Sequence, residues 1–214
     1  IFFINSGTWT YQDKLLRNYQ RSTKAHNALE VDDRSSSNLW GEFRAADTAK
    51  IIRRRSREYN NSINLSGSHD GFSSCFKKII HERKLNIFSS KLEVIDSIIG
   101  KFKNAKSYYH LHPDIKIKQS SKSIILYSKN YKATIHTKDK SFKVKQAFYY
   151  PSFGKKSKKY ILEFLQIKDV EKVRIDFQKL WKFFFSHTIL NQIYLQVHLE
   201  WKRSPNLSKK EIFS

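Results

Sequence analysis

The sequence predicts an all-β protein, an antiparallel β-sandwich, and three observations support this prediction. Runs of strand length with partial apolar–polar alternation recur along most of the chain. Their starts lie roughly 8 to 14 residues apart, a spacing typical of antiparallel sandwiches. The links between them contain turn-forming sequences such as Gly-Ser-His-Asp-Gly and Ser-Lys-Asn. A hydrophobic content of 39% favours a folded domain over a disordered chain.

Nine runs are predicted as strands. In chain order they cover residues 28–31, 45–52, 77–85, 91–98, 107–112, 123–127, 131–136, 142–148 and 159–167. After residue 168 the apolar residues become denser, and their period fits a helix and a strand equally well. We therefore expect a sandwich domain over residues 1–168, followed by a carboxy-terminal extension, 169–214, of uncertain structure.

The charge of the chain indicates an anionic partner without choosing one. Lysine and arginine number 41 against 19 acidic residues, for a net charge of +22. Such a surface attracts nucleic acid, anionic lipid or acidic polysaccharide, although a lysine-rich genome composition explains the charge equally well. The most apolar stretch, 181–195, is interrupted by Lys182, His187, Asn191 and Gln192. We therefore expect no membrane span.

The functional information lies in an ordered set of motifs. FINSGTWTY occupies residues 3–11 and RSTKAHN residues 21–27; Val31-Asp32, WGEFR at 40–44, HDGF at 69–72 and YHLHP at 109–113 follow. In this order the motifs resemble the heparinase II/III-like C-terminal domain, the β-sandwich part of a group of polysaccharide lyases. The apolar run at residues 1–4 is typical of a buried strand, so we expect a fragment whose upstream part is not included.

This resemblance implies a lyase that cleaves acidic, uronate-containing polysaccharide, such as a glycosaminoglycan, by β-elimination. The reaction requires a group that neutralises the carboxylate, a base for the C5 proton and an acid for the leaving oxygen. In the family these groups lie mainly on an amino-terminal helical toroid domain and on a histidine-rich loop before the first strand. We therefore expect the full-length protein to be a periplasmic or cell-surface lyase, and this chain alone to be inactive.

Four residues in the motifs are candidates for binding an acidic sugar. Arg21 and Arg44 flank His26 in sequence, and a guanidinium binds a carboxylate or sulfate through two parallel hydrogen bonds. The alternative for both is an internal salt bridge to Asp32, Asp33 or Glu42. Tyr11 and Trp40 are candidates for stacking on sugar rings, and core packing is the alternative for them.

His26 and Asn27 are further substrate-binding candidates, and the resemblance also connects His26 with a metal. His26 matches a histidine that in some family members binds a structural zinc ion. The other ligands there are an upstream histidine and an aspartate at the position of Asn5. A neutral asparagine is a weaker zinc ligand than a carboxylate. The alternative for His26 is a hydrogen bond to the first strand or to the turn at Asn5.

His69 is the remaining substrate-binding candidate, because Ser-Gly-Ser-His-Asp-Gly predicts a loop, where binding residues are common. His110 and His112 are predicted to share one face of a strand and to be partly exposed. The four arginines at 53, 54, 55 and 57 form either a contact for a polyanion or a solvated strand face.

Two other functions compete with the lyase interpretation. One is a non-enzymatic polyanion- or carbohydrate-binding sandwich, and the other is a structural sandwich in a larger surface protein. Nucleic acid is not the expected partner, because it would leave the RSTKAHN and WGEFR motifs without a role.

Overall fold

The computed structural model describes residues 1–40, 43–74, 77–137 and 140–180 of the chain. One α-helix, α1 (Lys14–Arg21), and a 3₁₀ turn (Thr23–Ala25) precede the strands. The strands are β1 (Leu29–Val31), β2 (Asn38–Trp40), β3 (Arg44–Ala46), β4 (Ile51–Tyr59), β5 (Ser62–His69), β6 (Ile80–Phe88), β7 (Lys91–Ile99), β8 (Ala105–His110), β9 (Lys116–Gln119), β10 (Ser123–Tyr127), β11 (Tyr131–His136), β12 (Ser141–Ser152), β13 (Lys155–Gln166) and β14 (Val170–Lys179).

The strands form two antiparallel sheets and a separate hairpin. The smaller sheet has the order β1-β8-β13-β12, and the larger has the order β4-β5-β6-β7-β14-β11-β10-β9. Strands β2 and β3 pair only with each other among the described residues. The all-β antiparallel sandwich predicted from the sequence is confirmed.

The hydrophobic core lies between the two sheets. One cluster joins Leu29, Val31 and Ala105 of the smaller sheet to Ile79 and Ile98 at the larger sheet, all with at most 3% of their surface exposed. Burial of each large apolar side chain contributes roughly 1.5–3 kcal/mol relative to exposure. The alternating strands β10 and β11 bury every second residue in the same way and have the predicted bounds.

The predicted strand at 45–52 is wrong, because a turn divides that region. Asp47 adopts a left-handed backbone conformation with φ of 46°, so β3 ends before it and β4 begins after it. The sequence analysis did not predict β4 after residue 52, and it did not predict β5. Strand β4 is almost wholly exposed and β5 buries only Leu65, so neither shows the apolar alternation by which strands are recognised.

The sandwich extends beyond the expected limit at residue 168. Strand β14 pairs with β7 through residues 170–176 and with β11 through residues 175–179, and Val173 and Ile175 are buried. It therefore lies inside the larger sheet and joins its two halves. The remainder of the predicted extension, residues 181–214, lies outside the described residues.

The segment before helix α1 runs along the smaller sheet, with bridges from Phe3 to Leu111 and from Gly7 to Tyr150 of β12. The Asp13 side chain caps the helix by accepting a hydrogen bond from the Leu16 backbone N–H at 2.9 Å. The segment before α1 forms backbone hydrogen bonds with β8 and with the 3₁₀ turn. The Ile4 N–H donates to the His110 carbonyl, and the Ser6 N–H donates to the Ala25 carbonyl. No helix in the described part of the chain is long and apolar enough to cross a membrane.

Candidate functional site

An exposed surface of aromatic and cationic side chains lies around helix α1, the β2–β3 hairpin and the β12–β13 turn. We call it the cation–aromatic ledge, and its members are Tyr11, Arg17, Arg21, Trp40, Phe43, Arg44 and Phe153. The ring of Tyr11 meets those of Phe43 and Phe153 edge-on, with centroids 5.1 and 5.0 Å apart. The guanidinium of Arg17 lies 4.8 Å from the centroid of Tyr11. Although these rings contact one another, Phe43 is 68% and Phe153 56% exposed.

The arginine end of the ledge is held by stacking and by one hydrogen bond. The guanidinium of Arg44 lies over the ring of Trp40, 4.8 Å from its centroid, and the two residues pair across the β2–β3 hairpin. Arg21 projects from the last turn of α1 and donates from its guanidinium to the Arg44 carbonyl at 2.8 Å. Four of the predicted sugar-binding residues, Tyr11, Arg21, Trp40 and Arg44, therefore lie on one surface.

The internal salt bridges considered for these arginines do not form with the two described aspartates. Asp32 pairs with Lys77 at 2.7 Å, and Asp33 pairs with Lys106. Asp32 also accepts hydrogen bonds from backbone N–H groups, one of them from Lys103. Burial disfavours the ionised carboxylate, but Lys77 and these bonds together lower the pKa of Asp32. Glu42, the third alternative, lies outside the described residues.

An open groove of about 850 Å³ lies beside this surface, between helix α1, the start of β4 and the end of β5. Its lining is mostly hydroxyl and amide groups with a few charges: Asn18, Ser22, Ser35, Ser37, Asn38 and Thr48 among the first kind, and Arg34, Lys50, Asp47 and Asp70 among the second. These hydroxyl and amide groups are able to donate and accept hydrogen bonds.

The side-chain amide, the side-chain oxygen and the backbone carbonyl of Asn27 each form a hydrogen bond within the chain. Its side-chain amide donates to the Ile4 carbonyl at 3.1 Å, and its side-chain oxygen accepts from the His110 N–H at 2.7 Å. Its backbone carbonyl accepts from Arg83 at 2.6 Å. A hydrogen bond to the segment before α1 was the alternative role considered for His26, and Asn27 forms a bond of this kind. The residue ties that segment to both sheets, and its predicted contact with substrate stays a prediction.

Two buried residues, Lys159 and His110, lie beneath the segment that precedes α1. Lys159 is 2% exposed, and its ammonium donates to the His110 Nδ1 at 2.9 Å and, at 3.4 Å each, to the Asn5 carbonyl and the Ser6 hydroxyl. Burial lowers the pKa of Lys159 to about 7. Burial, and then the charge of Lys159, lower the pKa of His110 to about 3. The expectation that His110 is partly exposed is wrong, because the residue is fully buried.

The residues near Asn5 do not fit a zinc ion. Within the described ranges, no three His, Cys, Asp or Glu side chains are grouped so as to hold a metal. Asn5 offers a neutral side-chain oxygen, which is buried and unpaired, but its backbone carbonyl already faces the Lys159 ammonium. When protonated, the Lys159 ammonium beside this carbonyl repels a metal ion. Zinc at His26 therefore stays a prediction that needs ligands from elsewhere.

His69 is the last residue of β5 and is half-buried, so the predicted loop begins only after it. Its Nε2 faces the His81 Nδ1 at 3.1 Å, and the His81 Nε2 faces the Asp96 carboxylate at 2.8 Å. The Gly71 N–H donates to the His69 Nδ1, also at 3.1 Å. These bonds assign both histidines as Nε2–H tautomers that donate towards Asp96. His69 is therefore placed to orient His81, and its predicted contact with a substrate stays a prediction.

Asp96 is the centre of this buried network. Arg83 binds both carboxylate oxygens, at 2.7 and 2.8 Å, and the Ser107 hydroxyl donates from the smaller sheet at 3.0 Å. Burial opposes ionisation, but the charge of Arg83 and the bonds from His81 and Arg83 hold the pKa of Asp96 well below its usual range. Because Arg83 also bonds the Asn27 carbonyl, the network supports the segment that carries His26.

A family model decides what kind of domain this is. The model for the heparinase II/III-like C-terminal region matches residues 2–176, which is most of the chain. The chain belongs to this family. The match also includes most of β14, in agreement with the place of that strand inside the larger sheet. Among curated proteins, none matches significantly.

Solved structures with the family fold are similar to this chain. A heparinase III has a TM-score of 0.64 at 15% identity, over 85% of this chain and 28% of its own. The heparan sulfate lyase HepC from Pedobacter heparinus has a TM-score of 0.64 at 18% identity, over 85% of this chain and 29% of its own. At such identities the likeness concerns the fold. The heparinase II/III-like chain thus spans less than a third of the length of these enzymes.

The stability of this heparinase II/III-like domain should rise with pH between about 4 and 6.5. Burial, and then the neighbouring His81, lower the pKa of His69 from 6.5 to about 4, so the unfolded state binds more protons in this window. The contribution is complete above pH 6.5 and is lost as the pH falls through 4, with a slope of up to about 1.4 kcal/mol per pH unit. His110 acts in the same direction.

Urea denaturation at a series of pH values measures this slope. His69→Gln should lower the slope between pH 4 and 6.5, whereas any loss of packing shifts the free energy of unfolding at every pH. Curves for His69→Gln and the parent chain that stay parallel across this window would contradict the assignment.

The sequence analysis did not identify three residues of the cation–aromatic ledge. Phe43 lay inside the quoted WGEFR motif, and its place on the ledge could have been inferred from Trp40 and Arg44. Arg17 and Phe153 carried no signal, because only the fold brings α1 and the β12–β13 turn to Tyr11.

Proposed function

We propose that this chain is the C-terminal β-sandwich domain of a polysaccharide lyase that cleaves acidic polysaccharide by β-elimination. The carrying observation is the cation–aromatic ledge, which presents exposed rings and guanidinium groups side by side. Aromatic faces pack on the apolar faces of sugar rings, and guanidinium groups bind carboxylates or sulfates in pairs of hydrogen bonds. An acidic polysaccharide carries both features in one chain.

In this proposal the domain supplies binding and not the proton transfers. Arg44 neutralises a uronate carboxylate or a sulfate, and its stacking on Trp40 holds the guanidinium plane in place. Tyr11 and Phe43 pack against a neighbouring sugar ring. The base and acid come from an amino-terminal helical toroid domain, so the chain alone should be inactive.

The binding experiment compares two variants of the 214-residue chain. We expect Trp40→Ala/Arg44→Ala to weaken binding of heparan sulfate oligosaccharides about tenfold, since a stacked ring and a charge-assisted contact are both lost. The control, Tyr160→Ala/Lys129→Ala, removes an exposed ring and an exposed cation from other surfaces and should change affinity less than twofold. Titration calorimetry or fluorescence anisotropy measures both. Equal losses in the two variants would remove the ledge from the proposal.

The proposed lyase activity is tested separately. The gene is sequenced upstream of Ile1, and the protein that it encodes is assayed. A reading frame with repeated amphipathic helices would supply the toroid, and the intact protein should release products with the ultraviolet absorbance of an unsaturated uronate. The 214-residue chain alone should release none. Absence of the chromophore across acidic substrates with the intact protein would leave the alternative, a non-enzymatic carbohydrate-binding module. A periplasmic or cell-surface location accords with such a substrate.

A further inference from the structure

Strand β4 forms an outer edge of the larger sheet among the described residues and carries a row of arginines. It pairs with β5 alone. Because side chains alternate along a strand, Arg53, Arg55 and Arg57 lie on one face, and all three are exposed. We call them the arginine strip. The buried Leu65 of β5 points to the other face, towards the core, so the strip lies on the outer face of the sandwich.

The arginine strip has no internal acidic partner in the described part of the chain. None of its three guanidinium groups makes an ion pair or a side-chain hydrogen bond with a described residue. Glu82, on the second strand inwards, pairs with Lys84 at 3.4 Å. The strip therefore presents positive charge that the described residues do not neutralise.

The neighbouring strand completes a polar surface beside the arginine strip. Ser68, Ser66 and Asn64 of β5 lie directly opposite Arg53, Arg55 and Arg57 in the register. Directly opposite residues have Cβ atoms about 4.5–5.5 Å apart. Each guanidinium thus has a hydroxyl or an amide beside it. Successive arginines lie roughly 7 Å apart, so the strip extends for roughly 13 Å.

We propose that the arginine strip is a second binding surface for an acidic polysaccharide, separate from the cation–aromatic ledge. An extended chain with carboxylates or sulfates along it matches a straight row of guanidinium groups, while its hydroxyl groups meet the serines and Asn64. The proposal rests on the proposed function for the choice of polymer. A charged edge also prevents strand pairing with other molecules, but that role does not require three arginines on one face.

Two triple variants of the 214-residue chain test the strip. Arg53→Gln/Arg55→Gln/Arg57→Gln removes it, and Lys116→Gln/Lys118→Gln/Lys122→Gln removes the same charge at the opposite edge strand β9 and the turn after it, from exposed positions. We expect the arginine variant to weaken binding to a long heparan sulfate chain about tenfold and to reduce the salt dependence of binding. The lysine variant should change affinity less than twofold. Circular dichroism melting checks that both stay folded.

The outcomes separate this inference from the proposed function. Equal loss in the two triple variants would mean a general charge effect and would overturn the strip. An unchanged arginine variant, with Trp40→Ala/Arg44→Ala still impaired, would overturn the strip and leave the ledge. A parent chain that binds no heparan sulfate would overturn both. If the arginine variant instead lost affinity for duplex DNA of equal length more than for heparan sulfate, the strip would be a nucleic-acid surface, against the proposal.

Discussion

Asp96→Ala is expected to lower the free energy of unfolding by about 3–5 kcal/mol, because it removes one partner of a buried charged pair. The carboxylate binds Arg83 through two hydrogen bonds and also accepts from His81 and Ser107. Without it the half-buried Arg83 guanidinium has no carboxylate partner, and His81 and Ser107 lose an acceptor. Urea denaturation at pH 7 measures the change.

The chain offers a matched control on its surface. Asp176 also binds one histidine and one arginine, His136 at 2.6 Å and Arg174 at 3.0 Å, but its side chain is 32% exposed. Water and salt screen this cluster, so Asp176→Ala should cost only about 0–1 kcal/mol. If the two variants lose equal stability, burial is not what makes the Asp96 network important.

Gly7→Ala is expected to have the second large effect, through the segment that runs along the smaller sheet. Gly7 has φ of 77°, and a Cβ at this position would lie 1.9 Å from the backbone oxygen of Tyr150. No rotation of a side chain relieves a clash with backbone, so the segment must move away from β12. We expect a loss of about 2–4 kcal/mol, the cost of the strained backbone together with the displaced contacts.

A second glycine separates the backbone strain from the clash. Gly154 has φ of 69°, yet a Cβ there would meet nothing within 4 Å. Gly154→Ala should therefore cost only the left-handed conformation, about 1–2 kcal/mol. Thermal or urea denaturation of the two variants compares them directly. A Gly7→Ala protein no less stable than the Gly154→Ala protein would mean that the first segment does not pack on Tyr150 as described.

The sequence by itself determined the fold class and the family. The strands at 123–127 and 131–136 were predicted with their observed bounds, because apolar side chains on one face of a half-buried strand recur with period two. The ordered motifs determined the family, which the match over residues 2–176 shows. Both kinds of information are local, or depend only on order along the chain.

The tertiary structure alone decided which residues meet. Tyr11 and Phe153 are 142 positions apart, and Lys159 reaches His110 from another strand. Neither contact can be recognised from a sequence pattern, because each contact depends on the order and register of strands that are distant in sequence. The same reason explains His69: a Ser-His-Asp-Gly run is equally compatible with a loop and with a strand end. Only the neighbouring His81, which in turn faces Asp96, gives the half-buried imidazole its partner at this strand end.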